Sequence, residues 1–330
     1  MKGFDSKFKD LPDFIIKITY QIWENNDVES IRKYYADVPD VSLATPTRSP
    51  SGVIYGAEPV IEATLASKKL FPDRTLLGED VIWIGNDDEG YFSSHRILSA
   101  ATHNKDGLYG KATGKKIVYR GIADCACKNN QVYDEWLVRD QGAIVRQIGI
   151  DPKQFASDLI NQEGGLKKAL KPFDENTPVK SIYKSPLLPS GNSGEVYANI
   201  LSSIMNDNLE KTIKDNYDRS IQQFQPGGQT HYGKDECIKF WKHLRSSFPN
   251  SLFSIEHIAF TEELNQSKKA SVRWSLTGKH EGDGSFGKAS SAKIYMMGIN
   301  HVEFGTRGIK NEWVLYDETM IWKQILLKTG

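Results

Sequence analysis

At 330 residues the chain has room for about two domains of ordinary size, and its 42 basic residues balance its 42 acidic ones. That neutrality removes the electrostatic case for nucleic acid or a membrane surface as a partner. Three cysteines, Cys125, Cys127 and Cys237, are too few for a disulfide framework or a zinc site and read as small core residues.

The opening segment, MKGFDSKFKDLPDF, lacks the apolar run of a signal peptide. No apolar stretch of about twenty residues follows, so a soluble, cytoplasmic protein is expected. From Leu11 onward, Phe14, Ile15, Ile18 and Ile22 recur at helical spacing with Pro12 in the first turn, and a short second helix is predicted from Val28 to Tyr35. The Thr/Pro/Ser-rich segment Ala44 to Gly52 reads as a loop, and a third helix as Ala57 to Lys69. Strands are then predicted at Leu76 to Ile84, Tyr91 to His103, Lys116 to Lys128 and Val132 to Gln147, with a tight turn at Asn129-Asn130. Asp151-Pro152 opens a short helix, and the Pro/Ser/Gly-rich stretch up to Ser190 reads as an extended linker.

The same order then returns. Helical segments from Glu195 to Tyr217 and Lys234 to Ser246 precede strands at Leu252 to Phe260, Lys269 to His280, Lys293 to Phe304 and Ile309 to Leu326. Arg96 and Arg273, His103 and His280, Gly121 and Gly298, Glu135 and Glu312, Trp136 and Trp313, and Asp140 and Asp317 all lie 177 positions apart. The same offset pairs Tyr55 with Tyr232. Such a period far exceeds the roughly 20–50 residues of solenoid repeats, so the chain holds a duplicated domain. The expected division is residues 1–158, a linker over 159–190, and 191–330. Each copy is α+β, helices first and then an antiparallel meander covered by helices on one face.

Within each copy, period-two alternation puts Trp136 with Asp140, and Trp313 with Asp317, on one strand face. If that face lines a pocket, an apolar setting beside the Trp raises the carboxyl pKa towards a value useful for proton transfer. If it faces outward, each Asp is a solvated strand charge. The preceding strand adds Asp124 in the first copy, and His301 and Glu303 in the second, with His301 roughly opposite Trp313. Arg96 and Arg273 lie mid-strand, where an ion pair with Glu135 and Glu312 is the expected role. No phosphate-binding loop, dinucleotide fingerprint or G-x-S-x-G elbow occurs, and no compact metal-ligand spacing.

Arg96 and His103, Gly110-Lys111, Thr113-Gly114-Lys115, Glu135-Trp136 with Asp140, and the closing Arg146-Gln147-Ile148-Gly149 together form a pattern. It resembles the SnoaL-like polyketide cyclases, within the superfamily named after nuclear transport factor two that includes ketosteroid isomerase. The second copy departs from it at Ser290-Ser291-Ala292. The resemblance implies two tandem cone-shaped α+β domains, each a curved antiparallel sheet wrapped around N-terminal helices and a deep apolar pocket. It further implies an intramolecular pseudo-dimer of the two halves, with room for further self-association.

In the family, the Asp four residues after the Trp is the acid/base of an intramolecular aldol closure, with no metal or cofactor. Carried over, that role falls to Asp140 and Asp317, aided by Asp124 and His301. Trp136, Trp313, Glu303, Tyr55 and Tyr232 are the expected substrate contacts. The expected function is cofactor-independent cyclisation or isomerisation of a hydrophobic carbonyl compound. The alternatives are a non-catalytic small-molecule binder, and a hydrolase or dehydratase on the same fold.

Overall fold

The structure is a computed structural model that describes residues 1–35, 45–177 and 181–330. Ala44 of the expected loop, and residues 178–180 of the expected linker, lie outside the described residues. In the first half, helix α1 (Leu11–Thr19) is capped by Asp10, whose side chain accepts from the Asp13 amide. It runs on into a single π-helical turn, Tyr20–Glu24. After α2 (Ile31–Tyr34) come strands β1 (Pro46–Ser49) and β2 (Gly52–Tyr55), helix α3 (Ala57–Leu70), and strands β3 (Thr75–Asn86), β4 (Gly90–Thr102), β5 (Lys116–Lys128) and β6 (Gln131–Arg139). Helices α4 (Gln141–Ile148) and α5 (Pro152–Gln162) close this half.

The second half repeats the order: α6 (Ser193–Asn206), α7 (Leu209–Asn216), β7 (Tyr217–Gln225), β8 (Gln229–Tyr232), α8 (Lys234–Ser247), β9 (Leu252–Thr261), β10 (Lys269–Lys279), β11 (Lys293–Gly305), β12 (Gly308–Tyr316) and α9 (Glu318–Thr329). The sheet orders are β2-β1-β6-β5-β4-β3 and β8-β7-β12-β11-β10-β9, so the two halves share one topology. Two six-stranded sheets with helices on them make the fold α+β, as expected.

Two details differ from expectation. The segment read as a loop is the β1–β2 hairpin, and β1 runs parallel to β6 as β7 does to β12, so each sheet is mixed. The helical N-terminal segment returns the chain to the far edge of the meander, and the hairpin docks there beside the last long strand. The strands predicted to reach Gln147 and Leu326 stop at Arg139 and Tyr316. Asp140 then caps α4 by accepting from the Ala143 amide, and Asp317 caps α9 by accepting from the Thr319 amide. An acceptor side chain on the orphan amides of a first turn ends a strand there and starts a helix.

Turn chemistry holds the meander in register. Asn129 and Asn130 both adopt left-handed φ, 52° and 63°, the geometry a two-residue hairpin needs. Across β4, β5 and β6 this register aligns His95 with Ala123 and Leu137, and Arg96 with Ile122 and Val138. Odd-numbered residues of the three strands therefore face the helices and even-numbered ones the other half, except at the start of β6, where the bulge at Ala126/Cys127 turns Val132 toward the helices. The odd offset of the repeat inverts this parity in the second half.

The two sheets pack through those helix-free faces. Ile122, Trp136 and Val138 of one meet Met297, Ile299 and Leu315 of the other. The connecting segment is held down rather than loose: Asp134 accepts from Ser181 Oγ (2.9 Å) and from the Ile182 and Tyr183 amides. Phe173 packs on Trp136, and Tyr183 stacks on Phe92. Among the described residues no helix is long and apolar enough to cross a membrane.

Candidate functional site

The residues singled out by the Trp–Asp pattern collect on the face between the halves. Ser94 and Ser271 occupy equivalent positions of the repeat, and their hydroxyls meet at 2.7 Å. Ser94 Oγ also donates to Asp124 (2.6 Å) and lies 2.8 Å from His301 Nε2. With its proton committed to Asp124, Ser94 can only accept from His301, so Nε2 carries the hydrogen and Nδ1 accepts from Arg96 Nη1 (3.0 Å). The imidazole is neutral: burial first, and the Arg96 charge second, hold His301 far below its usual pKa.

The mirror-related pair is Arg273 Nε donating to Asp124 (3.0 Å), where burial raises the carboxyl pKa and the guanidinium opposes it. Arg96 lies over the Trp313 ring at 3.6 Å and Arg273 over Trp136 at 4.0 Å. The expected ion pairs with Glu135 and Glu312 are thus replaced by Arg273 with Asp124 and by Arg96 with Glu79. The reason is parity: arginine and glutamate point to opposite faces of the sheet.

The two capping carboxylates sit nearby. Asp140 accepts from the Ala143, Gly227 and Gly228 amides, the last two belonging to the other half. Burial raises its pKa and those amides oppose the rise. Asp317 is pushed up to about 7, chiefly by burial, with its Thr319 bonds opposing and the Asp140 charge adding. His301 does pair with Trp313 in register. Glu303 accepts from Asn311 near the strand end, and Tyr55 and Tyr232 are exposed, at 47% and 68%. None of these nine residues lines the helix-covered cavity described next. The Trp–Asp face is the one covered by the other half, which no single-domain pattern reveals.

That cavity lies in the first half, between the sheet and its helices, with a volume of about 180 Å3. Glu135 sits in its wall, buried, accepting from Thr47 Oγ1 (2.8 Å) and Tyr35 OH (3.2 Å). Burial raises the Glu135 pKa, and those hydroxyls hold the rise back. His95, two strands away on the same face, is pulled down to about 4 by burial and is neutral. Trp23, on the π-helical turn, reaches the wall and donates to Thr64 (3.1 Å). Single π turns often mark functional sites, because the wider turn re-aims a side chain. Arg74, Tyr119 and Arg139 complete the polar lining.

The equivalent space of the second half is filled. Where the first half has His95, Ile97, Tyr119, Ala123 and Arg139, the second has Val272, Trp274, Met296, Asn300 and Tyr316. Trp274 is fully buried and donates to Asn300 Oδ1 (2.9 Å), and Asn300 donates to Tyr197 (2.8 Å). Tyr197, Tyr217 and Gln223 in turn saturate Glu312. A side chain on Gly298 would overlap the Trp274 ring, so this glycine makes the space the indole occupies. The signal for the open cavity is the set of odd-numbered positions at which the two copies differ, whereas the Trp–Asp motif is what they share.

Two tandem α+β domains, one with an open cavity around a buried carboxyl and one with that space filled, define the class of protein. Residues 195–325 match the family described as SnoaL-like polyketide cyclase. The match covers less than half of the chain and falls on the filled copy. The chain resembles that family in two tandem copies. No curated protein is significantly similar to the chain. Among solved structures, AclR from Streptomyces galilaeus, assigned as a hydroxylase, is 19% identical over 42% of this chain and 80% of its own, with a TM-score of 0.35. A protein from Jannaschia sp. CCS1, assigned as a SnoaL-like polyketide cyclase, is 14% identical over 43% and 97%, with a TM-score of 0.36. IdmH from Streptomyces antibioticus, assigned as a polyketide cyclase, is 17% identical over 43% and 100%, with a TM-score of 0.35.

Proposed function

We propose that the chain is a cofactor-independent acid–base enzyme of the SnoaL-like kind, acting on a small hydrophobic carbonyl compound in the first-half cavity, with Glu135 as the proton acceptor. The observation that carries this reading is the setting of Glu135: a buried carboxyl of raised pKa, oriented by Thr47 and Tyr35, in the wall of a cavity. Desolvation that disfavours the carboxylate makes it a stronger base once formed. In the proposed step Glu135 takes a proton from the carbon next to the carbonyl. The C–H electron pair passes to the enolate, and Glu135 returns the proton at a new position or after ring closure. Neutral His95 is suited to donate to the enolate oxygen without itself becoming charged. This moves the acid/base role from Asp140 and Asp317 to the carboxylate beside the conserved-in-repeat Trp.

The second half serves as the scaffold. The pairing of Ser94 with Ser271, and of both arginines with the opposite half, supports reading the chain as a covalent pseudo-dimer with one working site. The test is deuterium exchange next to the carbonyl of small cyclic ketones in D2O, followed by NMR for the wild type and Glu135→Gln. A positioned base contributes about 10²–10⁴-fold, so the variant should lose that factor with an unchanged melting profile. Equal exchange rates would remove Glu135 from the chemistry. Binding without exchange in the wild type would make the protein a binder.

A further inference from the structure

We infer that the first-half cavity selects an anionic ligand: an apolar body of about one ring carrying a carboxylate, which Arg139 and Arg74 hold at the end remote from Glu135. This rests on the reading of the cavity as the working site. Glu135 is the only acidic residue among its described lining residues, against two guanidinium groups. Arg139 lies on the helix-facing side of β6, four positions beyond Glu135, and is half-buried. Among the described residues it makes no hydrogen bond and no ion pair. Arg48, Arg96, Arg120, Arg146 and Arg273 each touch a carboxylate, whereas Arg139 acts on Glu135 through its charge alone, without a contact. Arg74 donates to Ser67 Oγ (2.8 Å), but its Nε is buried with no partner. Arg74 therefore has donor capacity to spare at the cavity wall, since a buried donor left without an acceptor is costly.

The repeat supplies a second, independent observation. The counterparts of Arg139 and Arg74 are Tyr316 and Ser251, so both cations are missing in the copy whose cavity is filled. A structural role common to the fold would have kept them in both halves. Their presence follows the cavity. A guanidinium presents a planar fork that matches a carboxylate, and two of them fix its orientation as well as its position. A one-ring body fits: an enclosed space of about 150 Å3 takes benzene, and this half-open one measures about 180 Å3. Four residues along a strand span about 13 Å between Cα atoms. A carboxylate at Arg139 therefore leaves the far end of a one-ring body near Glu135.

The probes are 3-phenylpropanoate and its neutral analogue 3-phenylpropanamide, titrated into the full chain by calorimetry. The wild type should bind the carboxylate at least tenfold more tightly than the amide, and Arg139→Gln should abolish that preference with the melting temperature unchanged. Ile97→Trp reproduces Trp274 opposite Gly121, the counterpart of Gly298, and should eliminate binding of both probes. Equal affinity for the two probes, with Ile97→Trp still abolishing binding, would overturn the anion inference and leave the cavity reading standing. A preference that survives both Arg139→Gln and Arg74→Gln would also overturn it. Binding of neither probe, or binding unaffected by Ile97→Trp, would overturn the cavity reading and the inference together.

Discussion

Replacing Asp317 by Asn separates a structural carboxyl from a catalytic one. Asn caps helices about as well as Asp, so the bond from the Thr319 amide survives the change. Only the titration is removed. The folded pKa of about 7 lies above the unfolded value of 3.8, so the folded state holds a proton that the unfolded state has released. Stability from this group is complete below about pH 4 and is lost as the pH rises through about 7. A shift of about three pK units corresponds to up to about 4 kcal/mol at pH 8. His301 acts in the opposite sense. Its pKa is depressed, so its contribution is present above the unfolded value of 6.5 and lost as the pH falls. The difference between variant and wild type isolates Asp317 from that background. At pH 5 the unfolded carboxyl has already largely released its proton, so urea denaturation should show the variant ahead by about 1–2 kcal/mol at pH 5 and by about 4 kcal/mol at pH 8. The same difference at both pH values would refute the burial argument.

Three further outcomes follow from the asymmetry of the halves. Gly298→Ala drives a methyl group into the Trp274 ring and should cost about 1–3 kcal/mol by denaturant melting, whereas Gly121→Ala meets its nearest atom only at 3.7 Å and should be close to neutral. Trp274→Ala should cost about 3–5 kcal/mol, because it empties a fully buried site and strands Asn300. A cost below about 1 kcal/mol would mean that the second cavity is not filled as described. Arg273→Met leaves Asp124 buried with Ser94 as its remaining partner and should cost about 3–5 kcal/mol. Adding Asp124→Leu should recover much of that loss, a coupling that thermal melts of the single and double variants would measure.

Much of the fold was legible because the chain states it twice. The 177-residue offset fixed the strand equivalences, Asn129-Asn130 marked a turn, and His301 lies opposite Trp313 as expected. The β1–β2 hairpin was not legible, since strands of four residues with Pro46 at one end carry little periodicity. Nor was the end of β6: Asp140 reads equally as the next strand residue and as a helix cap. The cavity wall did not stand out in the sequence for a reason of geometry. Alternation says which residues share a face, but not which face the other half covers. The motif residues Trp136 and Asp124 went to the covered face, and Glu135 to the cavity.

In the proposed function the first-half cavity alone is the working site. A crystal structure of the full chain soaked with 3-phenylpropanoate tests it most directly. Density is expected between Trp23, His95 and Glu135, with the carboxylate on Arg139 and Arg74, and none inside the second half. Ligand bound instead between the halves beside Asp140 and Trp313, or within the second half in place of Trp274, would contradict it.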